Sequence, residues 1–69
     1  MANKWAQIAG DWERFAVEAK KKWQLLTGEE LTQVKGKRNT LASIIQARYF
    51  VSKKEAHTQI EVWIDALKL

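Results

Sequence analysis

A chain of 69 residues supplies one small domain, and at this size only about 60% of the unfolded surface is buried on folding, so the core has to be built economically. There is no cysteine and only one histidine, which excludes a disulfide framework, a thiolate metal site and a histidine cluster. Twelve basic residues against eight acidic ones give a net charge of +4, a mild preference for anionic partners that falls well short of a basic arm.

The first third reads as one amphipathic helix from about residue 3 to residue 24, starting near Asn3. Trp5, Trp12 and Trp23 are 7 and 11 residues apart and fall at nearly one azimuth of a helix, together with Ile8, Phe15, Ala16, Ala19 and Leu26. Glu13, Arg14, Glu18, Lys20 and Lys21 point elsewhere. Gly10 lies off the tryptophan stripe and weakens the helix by about 1 kcal/mol relative to alanine, so a kink or split is expected there.

The next start signal is Thr27-Gly28-Glu29-Glu30, a capping box in which Glu30 returns a hydrogen bond to the cap, flanked by Leu26 and Leu31 at staple positions. Apolar positions continue through Val34, Leu41 and Ile45 to Tyr49, with a break or bend expected over residues 36–39. A last helix begins at Ser52, where Ser-Lys-Lys-Glu repeats the box with Glu55, and Ala56, Ile60, Trp63 and Leu67 form its apolar stripe. With no proline, three glycines and no run of alternating β-branched residues, the fold class is all-α: a compact array of about four helices joined by short connections. Residues 1–69 show no repeat, low-complexity stretch or linker. Trp5, Trp12, Trp23 and Trp63, with Tyr49, are the expected core, since each large ring buries roughly 150–250 Å².

The residues Ile8-Ala9-Gly10-Asp11-Trp12, Trp23, Leu26-Thr27, Leu31, Gly36-Lys37-Arg38, Leu41, Ile45-Gln46-Ala47-Arg48-Tyr49, Ala56, Gln59 and Trp63 together form a recognisable pattern. The chain resembles the CsbD-like family of small bacterial proteins over residues 8–63, most specifically in Gly36, Lys37, Arg38 and Leu41 followed by Gln46, Arg48 and Tyr49. The resemblance implies a bacterial general-stress protein with no catalytic activity and no cofactor, folded as two crossed helical hairpins similar to the sterile-alpha-motif class. The chain departs from the family pattern at Phe50, where glycine is usual and a left-handed helix end would be easy. It also departs at Asn39 in place of aspartate, and at Ser43 and Val17 where glycine is common.

Little in the chain suggests chemistry of its own. His57 has no cysteine to activate, and Ser52 and Thr58 read as a cap and a surface residue. Glu29 and Glu30 diverge by about 100° on a helix and suit its N-terminal dipole. Gly36 alone makes no phosphate loop. The basic residues Lys20, Lys21, Lys22, Lys35, Lys37 and Arg38 form two clusters at helix ends and carry the second functional reading, contact with a nucleic-acid backbone. The simpler reading is helix-dipole complementation, with Glu18 pairing Lys22. Arg38 or Arg48 is expected to lay its stem on an aromatic ring. Phe50, Val51, Val62 and Leu69 exceed what one stripe per helix accommodates, which leaves two readings open: a surface for a protein partner or self-association, or a small core that wraps around them. No apolar run approaches the roughly 18 residues of a membrane span, and residues 1–10 show no signal-peptide core, so a cytoplasmic protein is expected.

Overall fold

A computed structural model describes residues 4–69. Five helices follow one another: α1 (Lys4–Gly10), α2 (Trp12–Lys22), α3 (Gly28–Val34), α4 (Arg38–Tyr49) and α5 (Lys53–Ala66). No strand occurs among the described residues. The all-α expectation holds, while the count rises from about four to five because the first helix is divided; its expected start at Asn3 lies outside the described residues. Asp11 leaves helical geometry at φ −132° and ψ 49°, directly after the weak helix former Gly10. Its carbonyl still accepts from the Phe15 amide at 3.2 Å, so it opens α2 although its side chain caps nothing.

The division changes what the tryptophans do. Azimuths counted along one continuous helix do not carry past Asp11, and Trp23 stands just beyond the last turn of α2, at φ −114° and ψ 81°. Trp23 and Trp63 are nonetheless buried, with ring centroids 5.2 Å apart in an edge-on arrangement, and the Trp23 indole N–H donates to Gln59 Oε1 at 3.0 Å. Trp5 and Trp12 sit at the edge of the core instead, half-buried and 6.0 Å apart. Their N–H groups tie the first two helices to the middle of the chain, Trp5 to the Gly36 carbonyl at 2.9 Å and Trp12 to the Leu31 carbonyl at 2.7 Å. Tyr49 is also half-buried against the core.

Packing follows chain order: α1 on α2, α2 on α3, α3 on α4 and α4 on α5. The radius of gyration is 11.0 Å, the value of about 11 Å that a compact chain of this length should have. Ile8, Leu26, Val34, Leu41, Ile45 and Ile60 are fully enclosed between the helices. The capping box at α3 is complete, with Glu30 N–H donating to Thr27 Oγ1 at 3.1 Å and Thr27 N–H to Glu30 Oε1 at 3.0 Å. Leu26 and Leu31 are buried on either side of it. Ser52 caps α5 through the Glu55 amide at 3.0 Å.

Candidate interaction surface

Between α3 and α4 the chain turns through two left-handed residues, Lys35 at φ 49° and Gly36 at φ 77°. The Gly36 Cα faces Ala9 so closely that a Cβ there would lie 2.9 Å from the Ala9 Cβ and 3.0–3.1 Å from Ala9 backbone atoms. The end of α1 thus packs directly on the turn that precedes α4. Arg38, in the first turn of α4, reaches across to α5. Its Nη1 is 2.7 Å from Glu61 Oε1, its Nε–H donates to His57 Nδ1 at 3.3 Å and its Nη2 to the His57 carbonyl at 3.4 Å. Arg48, near the other end of α4, donates from Nε to Glu30 Oε2 at 2.9 Å, with Nη2 on the same oxygen. Tyr49 accepts the Leu25 amide on its hydroxyl at 3.1 Å.

These contacts correct the expected arginine stacking. Neither Arg38 nor Arg48 lies on a ring; both guanidinium groups go to carboxylates brought close by tertiary packing, and among the described residues the arginine over a ring is Arg14, 5.5 Å from the Phe15 centroid. Hydrogen bonds from Arg48 and then from the Thr27 amide hold the Glu30 carboxyl below its usual range against the opposing effect of burial, with the Arg48 charge adding a smaller share. The hydrogen bonds and charge of Glu30 raise the Arg48 guanidinium in turn.

The two basic clusters are placed apart and are partly occupied. Lys20 folds back on the connection after α2, donating to the Gln24 carbonyl at 3.0 Å and to that of Leu26. Glu18 pairs with Lys21 at 3.3 Å, not with Lys22, since the geometry favours the three-residue spacing here. Lys22, Lys35 and Lys37 are exposed, and Arg38 is committed to Glu61. Lys20, Lys21 and Lys22 stand at the end of α2 that leads into α3. Lys35 and Lys37 lie past the far end of α3, a helix roughly 10 Å long, so one continuous basic stripe is not formed.

Phe50 ends α4 in the left-handed conformation, at φ 55° and ψ 44°, and is 91% exposed. The chain thus keeps the helix-ending geometry for which glycine is the easy residue. Val62 and Leu69 are exposed as expected, whereas Val51 packs half-buried on the core. Sequence reasoning missed Leu25, 59% exposed, and Val17, although the pair Leu25-Leu26 before a cap signals that only one of the two can face inward. An open apolar depression of about 340 Å³ lies between α2 and the start of α3, lined by Ala16, Val17, Leu31 and Gly28 with Lys20 and Lys21 at its margin. Among the described residues no group of three or more His, Cys, Asp or Glu side chains is arranged to hold a metal ion, and no helix is long and apolar enough to cross a membrane.

Over 59 residues, 86% of each chain, the sequence is 39% identical to a UPF0337 protein of Pectobacterium atrosepticum. The chain belongs to the UPF0337 family. The UPF0337 protein YjbJ of Salmonella typhimurium is 35% identical over 63 residues, covering 91% of this chain and 89% of its own. The UPF0337 protein of Bordetella pertussis is 36% identical over 58 residues, 84% and 88% of the two chains. These UPF0337 relatives are uncharacterised proteins. No family model matches the chain, and no solved structure does.

Proposed function

We propose that this UPF0337 protein is a non-enzymatic, cytoplasmic stress-response protein of CsbD-like type, working as one helical unit whose two hairpins cross in the sterile-alpha-motif manner and acting through its surface. The observation that carries this reading is the use made of its most specific motif. Gly36 admits Ala9, Arg38 binds Glu61 and His57, Arg48 binds Glu30, Tyr49 holds the Leu25 amide, and Leu41 is in the core. Residues so committed build a scaffold, which leaves exposed apolar and basic side chains to meet a partner. Quantifying the protein in its source bacterium through osmotic upshift, heat and entry to stationary phase tests the reading. A severalfold rise under at least one condition is expected; constant abundance under all three contradicts it.

A nucleic-acid module is the second reading, favoured by the exposure of Lys35 and Lys37 at the turn between α3 and α4. Titration of labelled duplex and single-stranded DNA at low salt separates the two. Binding that falls steeply with salt and is removed by Lys35→Ala with Lys37→Ala promotes the second reading, and no detectable binding eliminates it.

A further inference from the structure

The end of the molecule where α4 turns into α5 carries features that folding alone does not require. Phe50 is 91% exposed and occupies the left-handed region at φ 55°, where a side chain bearing a Cβ is disfavoured. It therefore sits in a strained turn without any return from burial, the combination that directs attention to an external contact. The hydrogen bond from the Leu25 amide to the Tyr49 hydroxyl brings the connection between α2 and α3 against this same turn, so Leu25, 59% exposed, projects from the same end. Lys20 is anchored on that connection through the Leu26 carbonyl, with Lys22 two residues on, and Lys53 and Lys54 form the first turn of α5 just after Phe50. Of the acidic side chains at this end, Glu18 is paired with Lys21 and Glu30 with Arg48, and Lys20 is held by backbone carbonyls, which leaves Glu29 and Glu55 against Lys22, Lys53 and Lys54.

We infer that this end is a docking surface for the anionic face of a lipid bilayer, with Phe50 and Leu25 entering the interfacial layer and Lys22, Lys53 and Lys54 lying among the headgroup phosphates. A bilayer fits better than a folded partner because the apolar groups are two side chains protruding from separate turns. A stable protein interface needs a complementary face of about 800 Å² on each side, whereas an interfacial layer closes around whatever protrudes. Phenylalanine is well suited to that layer, and each lysine held near an anionic surface raises partitioning roughly fivefold. The inference rests on the reading that the protein acts through its surface and supplies the partner.

The test is co-sedimentation of the full chain with phosphatidylcholine vesicles, with and without phosphatidylglycerol, at low and high salt. The parent is expected to pellet with anionic vesicles at low salt, to be released by salt and to stay in solution with neutral vesicles. Phe50→Gly, which relieves the strained turn and so keeps its helical circular dichroism, lowers partitioning about tenfold. Lys53→Gln with Lys54→Gln lowers it at least fivefold. A parent that never pellets, equal binding to neutral vesicles, or a Phe50→Gly protein that pellets as well as the parent overturns the inference. So does a parent that fails to bind vesicles but is a dimer made monomeric by Phe50→Gly, since the patch would then serve a second copy. None of these outcomes bears on abundance under stress, so the two proposals fail separately.

Discussion

Gly36 has two independent reasons to be glycine. Its φ of 77° is a conformation that a Cβ disfavours, and the added atom would stand 2.9 Å from the Ala9 side chain and 3.0 Å from its Cα, where the neighbour includes backbone and cannot simply rotate away. Gly36→Ala is therefore expected to destabilise the protein by about 2–3 kcal/mol, measured by denaturant unfolding; a change below about 0.5 kcal/mol contradicts the close approach of α1. Phe50 presents the opposite case, since its backbone is left-handed but its side chain touches little. Removing the Cβ there takes away strain and no packing, so Phe50→Gly should raise stability by roughly 0.5–1 kcal/mol, and a clear loss would mean that the ring supports the fold.

At the scale of elements, α3 depends on its ends because seven residues make too few internal hydrogen bonds to sustain a helix alone. Thr27→Ala removes the cap from the Glu30 amide and should cost about 1 kcal/mol, read as a lower urea midpoint with an unchanged slope. Glu30 serves this cap and also Arg48, and its carboxyl titrates below the ordinary value of 4.5. A depressed folded-state value means that the charged form contributes stability above the unfolded carboxyl's range, and that this contribution is lost as pH falls through the folded value. Glu30→Gln keeps a side chain able to complete the box but removes the charge. The difference in thermal midpoint between parent and variant should then be present at pH 7 and shrink below about pH 4.5, and a difference independent of pH would contradict the charge pairing.

For the whole molecule, what could be read in the sequence was whatever depends on neighbours along the chain. The Thr27 box, the Ser52 cap and the weak point at Gly10 rest on contacts within about four residues and appear in the structure, while the break expected over residues 36–39 falls at residues 35–37, with Arg38 and Asn39 already in α4. Burial of Trp23 and Trp63 also followed from their bulk and apolar neighbours. Trp5 and Trp12, expected in the core with them, pack against it only half-buried. The arginines went to Glu61 and Glu30, which lie 23 and 18 residues away, because a carboxylate offers a guanidinium stronger hydrogen bonds than a ring face does, and such proximity is created only by folding. The surface patch was half legible: Phe50 stood out as surplus, but its meeting with Leu25 depends on the tertiary hydrogen bond of Tyr49.

The Gly36-Lys37-Arg38 motif holds the scaffold through Arg38 while the neighbouring Lys37 side chain is exposed, and thermal unfolding of single variants tests this clasp. Arg38→Ala removes a partly buried ion pair and two further hydrogen bonds to α5, together about 1 kcal/mol, which lowers the midpoint by roughly 4–8 °C in a chain of this size. Lys37→Ala, at an exposed side chain one residue earlier, should leave the midpoint within about 2 °C of the parent. If Arg38→Ala unfolds at the parent's temperature, or if the Lys37 variant falls as far, the motif is not a structural clasp and its residues must be sought at a partner instead.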